Sequence, residues 1–241
     1  MHLRFLILSA AFPYFLLPAM AQKPEHIYGK NKRLMPVSYY QQQAGLWKSV
    51  LDKEPTNADA WLNYYSASRN AYVVGQEGEN KDSRGPQRFA GLDTIVQGME
   101  QHVPGSFEYD LVKWANGYND PSLLPYLEKA HALAPQRPEP YMDLIIAYER
   151  MGKDSLRDAL CKAYLQLHDF SPGLLSYGYN LLEGLQQNAV LFALGDKDSE
   201  AIWLIQHGMD IREDVQLLNL NILLAKNYRE RVFTGMNVPQ L

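Results

Sequence analysis

From residue 37 the apolar positions recur at three- and four-residue steps. Tyr40, Ala44, Trp47, Val50 and Leu51 line one side of a predicted helix. The run stops at Glu54-Pro55-Thr56-Asn57. A second helix is predicted behind the Asn57 cap, carrying Ala60, Trp61, Tyr64, Tyr65 and Ser68 at helical spacing. The same punctuation returns along the chain: Pro55 is followed by Trp61, Pro104 by Phe107 and Pro135 by Tyr141. Ser171-Pro172-Gly173 opens a further predicted helix over 174–185.

Beyond Asn188 the pattern changes. Ala189-Val190-Leu191-Phe192-Ala193-Leu194 is an unbroken apolar run of strand length, which predicts a buried strand. Gly195 to Ser199 reads as a turn, Glu200 to His207 as a helix ended by Gly208, and Asp214 to Leu220 as a second strand. Asn221 to Val232 is predicted as a last helix. Strand, helix and strand in that order predict a parallel βαβ unit. Trp203 or Phe192 is expected to pack against the 174–185 helix.

Phe107 and Tyr141 lie 34 residues apart, the period of a tetratricopeptide repeat. Between them Leu111, Trp114, Leu123, Leu127, Ala130 and Pro135 stand where such a repeat has its leucines or small residues, an aromatic and a closing proline. Tyr141, Leu144, Ile145, Tyr148, Gly152, Ala159 and Ala163 continue the pattern. Residues 37–185 therefore resemble the tetratricopeptide-repeat superfamily, with an insertion expected over Gly75 to Gln87. The resemblance implies stacked helix pairs, each covering the apolar face of its neighbour. The expected fold is mainly α: a tetratricopeptide-like helical-repeat solenoid at 37–185, after an extended lead-in at 22–36 and before a small α/β unit at 186–241.

The first 21 residues read as a secretory signal peptide. Arg4 gives the positive start, Phe5 to Leu17 the apolar stretch, and Ala19-Met20-Ala21 the small-residue cleavage site before Gln22. The stretch is shorter than the about 20 residues that span a bilayer. Without Arg4, 22 basic residues face 27 acidic ones, a net charge of −5. No basic stripe stands out, which argues against nucleic acid as a partner. The expected location is exported, in the periplasm or cell envelope, with no membrane span after cleavage. The single Cys161 sits in an apolar helical pattern, so a buried inert thiol is expected.

The sharpest local feature is Gly195-Asp196-Lys197-Asp198-Ser199, after one strand and before a helix. Ligands of open α/β sheets bind at that edge. Two Asp residues one apart supply oxygen ligands for a hard cation, and the amides at a helix start suit an anion. The same residues equally suit a tight turn at Gly195 with Asp198 or Ser199 as helix cap. Residues 189–224 also resemble a segment of an uncharacterised family of bacterial envelope membrane proteins. The matching residues are Gly195, Asp196, Asp198, Ser199, Trp203, Arg212, Asp214, Val215, Asn219, Leu220, Leu223 and Leu224. Lys197 departs from that pattern, placing a positive charge between the carboxylates and favouring an ion pair with Asp or an anion over a cation.

Sixteen tyrosines are the other conspicuous feature. Tyr combines large contact area with low entropy cost, so Tyr65, Tyr72 and Tyr148 are the expected partner-binding residues. Histidines are scattered without zinc-ligand spacing, and no phosphate loop or nucleophile elbow is present. No cofactor or metal is expected and no catalytic residue is assigned. Two functions follow. The first is a non-enzymatic helical-repeat scaffold that engages a protein or peptide partner on its concave face. The alternative is a ligand-binding or ligand-processing α/β module for a sugar, phosphate or cation, centred on Gly195–Ser199.

Overall fold

A computed structural model describes residues 23–29, 32–75, 91–117 and 120–238, with the side chain of Asp196 left aside. The predicted signal peptide and residues 76–87 of the predicted insertion lie outside the described residues. The protein is mainly helical with a small two-stranded sheet. In chain order the elements are α1 (Val37–Leu51), α2 (Ala58–Gly75), α3 (Asp93–His102), α4 (Phe107–Asn116), α5 (Leu124–Leu133), α6 (Tyr141–Met151), α7 (Asp154–Gln166) and α8 (Pro172–Glu183). Then come β1 (Val190–Ala193), α9 (Asp196–Trp203) continuing into a π turn (Leu204–Gly208), β2 (Gln216–Asn219), a 3-10 turn (Ile222–Leu224) and α10 (Lys226–Gly235).

Local chemistry accounts for most boundaries. Asn57 Oδ1 accepts from the Ala60 N–H at 3.0 Å, so the predicted cap opens α2. Ser106 Oγ accepts from the Tyr109 N–H at 3.1 Å and does the same for α4. Pro172 takes the first position of α8, where its missing N–H is harmless. Gly152 ends α6 in the left-handed conformation, φ 69°, that glycine adopts without strain. Among the described residues between 37 and 183, every helix or strand is a helix. α1 packs on α2, α4 on α5, and α6 on α7.

Two large apolar clusters follow one another along the chain. The first joins α1 to α4 around Trp61, Tyr65, Met99 and Val112. The second runs from Trp114 through Leu144, Ile145 and Leu160 to Trp203, Leu218 and Tyr228. The C-terminal unit therefore shares one core with α4–α8 and has none of its own.

β1 and β2 pair in parallel, with Val190 opposite Gln216 and Ala193 opposite Asn219. The predicted strands are thus both present, each trimmed at its ends. Burial of β1 needs correction. Val190 and Phe192 are exposed, Phe192 by 61%, whereas Leu217, Leu218 and Asn219 of β2 are buried. A two-stranded sheet gives β1 a neighbour on one edge only, and its Val190–Phe192 face is left uncovered. Trp203 is buried in the shared core. The contact with α8 itself runs through Gly178, where an added Cβ would stand 3.0 Å from Ile205 Cδ1 and 3.1 Å from Ala201 Cβ.

Candidate functional site

The Gly195–Ser199 segment is not a turn followed by a capped helix. α9 begins at Asp196, four residues before the predicted start at Glu200. Gly195 stands at the N-cap with extended backbone (φ −148°, ψ 176°) and offers no side-chain cap. Asp198 and Ser199 are already inside the first helical turn. Asp198 is exposed, and Lys197 Nζ pairs with Glu200 at 2.7 Å instead of with an Asp. Ser199 is buried: its hydroxyl donates to the Gly195 carbonyl at 3.1 Å and accepts from Asn219 Nδ2 at 3.0 Å. Asn219 Oδ1 in turn accepts from the Asn221 N–H at 2.9 Å. At the carboxyl edge of the sheet, Ser199 and Asn219 therefore spend these groups on holding strand to helix.

Of the three tyrosines singled out for partner binding, only Tyr72 is exposed. Tyr65 is buried and donates to Asn116 Oδ1 at 3.3 Å, and Asn116 Nδ2 donates to Asp93 Oδ1 at 2.7 Å. Burial pushes the Tyr65 hydroxyl up to about 12. Tyr148 is buried and donates to Glu128 Oε1 at 2.9 Å. Burial first, then the Glu128 carboxylate, raises it to about 12. Cys161 is buried and free, with its thiol pushed up to about 12 by burial, as befits an inert core thiol.

A second polar constellation locks the C-terminal elements to the helices. Arg157 of α7 pairs with Glu149 of α6, with Asp154 at 3.1 Å and with Asp158 at 2.8 Å. From α10, Arg231 donates to the Glu149 carbonyl at 2.6 Å. His207 of the π turn places Nδ1 3.5 Å from Asp158. The two buried charges, Arg157 and Glu149, each have an opposite partner, which is what burial of ions requires.

The arrangement that the sequence did not disclose lies at the other end. Residues 23–29 have no helix or strand of their own and lie against α1 and α2. The Glu25 N–H donates to Gln43 Oε1 at 2.7 Å, and the Glu25 carbonyl accepts from Trp47 Nε1 at 2.9 Å. The Ile27 N–H donates to Asn63 Oδ1 at 2.8 Å, and the Tyr28 carbonyl accepts from Asn70 Nδ2 at 3.3 Å. Residues 25 and 27 turn the same way, the periodicity of an extended chain. Gln43, Asn63 and Asn70 are 0%, 1% and 4% exposed. Asn63 is held in register by its own amide, which donates to the Asp59 carbonyl at 2.8 Å. Ile27 is buried in a small apolar cluster with Tyr40 and Ala67, flanked by Ala44 and Ala71. Isolated Gln and Asn on amphipathic helices read as solvated surface, so the only trace in the sequence was the extended lead-in itself.

A family model described as TMEM260-associated domain 2 matches residues 174–237, from α8 through α10. No curated protein and no solved structure matches the chain. Among the described residues no helix is long and apolar enough to cross a membrane.

Proposed function

We propose that this protein is an exported, non-enzymatic helical-repeat scaffold of the bacterial cell envelope that engages a protein or peptide partner through the face of its stacked helices. The observation that carries this reading is the hold on residues 23–29. Helices α1 and α2 bind a length of extended chain through its main chain, with buried side chains devoted to that task. Peptide groups are common to every protein partner, and side-chain carboxamides match them donor for acceptor. In the tetratricopeptide-like scheme, α1–α2, α4–α5 and α6–α7 are successive packed pairs, and the α8–α10 unit closes the stack with a shared core. The ligand-module alternative has less support, since Lys197 and Ser199 are engaged within the unit.

The test is cross-linking in the envelope. A photoreactive amino acid is placed at the exposed Tyr72 of α2, and the same group at the exposed Lys226 of α10 serves as control. Discrete adducts with one partner at position 72, absent at 226, are expected. Equal or absent adducts at both positions overturn the reading.

A further inference from the structure

We infer that the α1–α2 groove is a receptor for an extended peptide of the pattern acidic-x-aliphatic, and that residues 23–29 occupy it in cis as a displaceable plug. This rests on the partner-binding reading above and names its site and regulation.

Three observations carry it. First, the groove recognises backbone. Gln43, Trp47, Asn63 and Asn70 make four hydrogen bonds to the segment, all to main-chain groups of residues 25, 27 and 28. Burying three carboxamides on two packed helices is unfavourable unless each finds a partner. A helix pair built only to pack would carry Ala or Leu there. Because main-chain contacts do not depend on side chains, another extended segment satisfies them equally well.

Second, the groove holds a hydrogen-bond donor that the plug leaves unused. Gln43 Nε2 is buried and has no hydrogen-bond partner among the described residues, although Oε1 of the same carboxamide accepts from Glu25. A buried donor left so is an invitation to a ligand carbonyl.

Third, two side-chain positions set a preference, and the chain's own segment reads it out. Ile27 fills the apolar pocket between Tyr40 and Ala67. Two residues earlier, Glu25 Oε2 accepts from Tyr39 Oη at 3.1 Å and faces Arg33 NH1 at 3.4 Å. Tyr39 and Arg33 lie outside the plug, at positions where they can receive an incoming carboxylate. Beyond the groove the lead-in is fastened through Lys32 and Asp169, 2.6 Å apart, with the Lys32 side chain half exposed. Such a clasp is weak and screened by salt, so it permits release.

Exchange of the plug tests this in the full chain. The probe is a fluorescein-labelled peptide with the sequence of residues 22–30, read by anisotropy against the unaltered protein and against Ile27→Asp, which weakens the cis occupant. Removing a competing cis state raises apparent affinity by the inverse of the open fraction, so about ten-fold tighter binding to Ile27→Asp is expected. Adding Asn63→Leu to Ile27→Asp should abolish that gain, and the same peptide carrying Asp at the position of Ile27 should not bind. A folded Ile27→Asp chain that binds no tighter than the unaltered one overturns the inference. Should Ile27→Asp fail to fold, amide exchange on the unaltered protein decides. Glu25 and Ile27 amides exchanging by local release, about 100-fold faster than the buried amides of α2, support the plug. Rates equal to those of α2 make the segment core and overturn it. The probe is the chain's own sequence, so loss of the Tyr72 adducts with exchange intact would sink only the envelope-partner reading.

Discussion

Arg212 grips Asp214 with two hydrogen bonds, Nε to Oδ1 at 2.8 Å and NH2 to Oδ2 at 3.1 Å, while the same guanidinium donates to the carbonyls of Leu185 at 3.1 Å and Gln186 at 3.0 Å. One side chain thus satisfies carbonyls past the end of α8 and fixes the chain just before β2. The Arg212 bonds, then the Asn188 N–H at 2.9 Å, hold the Asp214 carboxyl down at about 2. A carboxylate with a lowered folded value stabilises the fold above its ordinary value of 3.8 and loses that contribution as pH falls toward about 2. Asp214→Asn is expected to lower the unfolding midpoint at pH 7. The deficit should shrink through this window and vanish only below it. Thermal melts across that range check it, and a deficit of constant size would rule the linkage out.

The helix glycines give a pair of opposite signs. Gly45 lies inside α1 with nothing within 4 Å of an added Cβ, so Gly45→Ala should stabilise by about 0.5–1 kcal/mol from helix propensity. At Gly208 the added Cβ would stand 2.5 Å from Leu165 Cδ1 and 3.2 Å from the Cys161 carbonyl oxygen. Gly208→Ala is expected to cost about 1–3 kcal/mol by overpacking the π turn against α7. Urea unfolding of both variants reads the difference. Two stabilised proteins would mean the π turn does not sit tightly on α7.

Those two glycines also show what a sequence conveys. Gly208 reads as a helix terminator, and α9 with its π turn does end there. That it also admits another helix's backbone depends on Cys161 and Leu165, which lie about 45 residues away and are invisible to local pattern. The helix starts at 37 and behind Asn57, the breaks near Pro55, Pro104 and Pro135, and both strands were legible because caps, prolines and apolar runs act locally. The start of α9 was misplaced because Asp and Ser serve equally as caps and as first-turn residues. The outward face of Val190 and Phe192 was hidden because an apolar run does not say how many neighbours its strand will find. Gln43, Asn63 and Asn70 were passed over because the main-chain groups they hold, in residues 25–28, are far away in the chain.

Trp203 is buried in the core that the C-terminal unit shares with the helices, whereas Phe192 is mostly exposed. Truncating a buried Trp leaves a cavity as well as losing its transfer free energy. Trp203→Ala should therefore cost about 3–5 kcal/mol. Phe192→Ala should stay within about 0.5 kcal/mol of the unaltered protein, as exposed substitutions do. Denaturant midpoints decide between them. An unchanged midpoint for Trp203→Ala would mean that the C-terminal unit is not packed on the helices.

His207 makes the same junction sensitive to acid. Its ring sits on the π turn with its side chain 18% exposed, facing Asp158 at 3.5 Å. Burial lowers its pKa, the Arg157 guanidinium lowers it further, and Asp158, Glu149 and Asp154 oppose them. The folded protein thus keeps His207 neutral, while the unfolded chain takes up the proton near pH 6.5. Stability is intact above that value and falls as pH drops through it toward the lower folded value, by at most about 1.4 kcal/mol per pH unit for one group. His131 is lowered by burial as well and contributes a slope of its own. His207→Asn should accordingly reduce the loss of stability between pH 7 and pH 5 without abolishing it. Asp158→Asn should steepen that loss, since Asp158 is the first of the groups that favour the charged ring. Unfolding free energies from urea titrations at the two pH values measure both. A His207→Asn protein that loses as much stability as the unaltered one would show that protonation at this junction is not coupled to the fold.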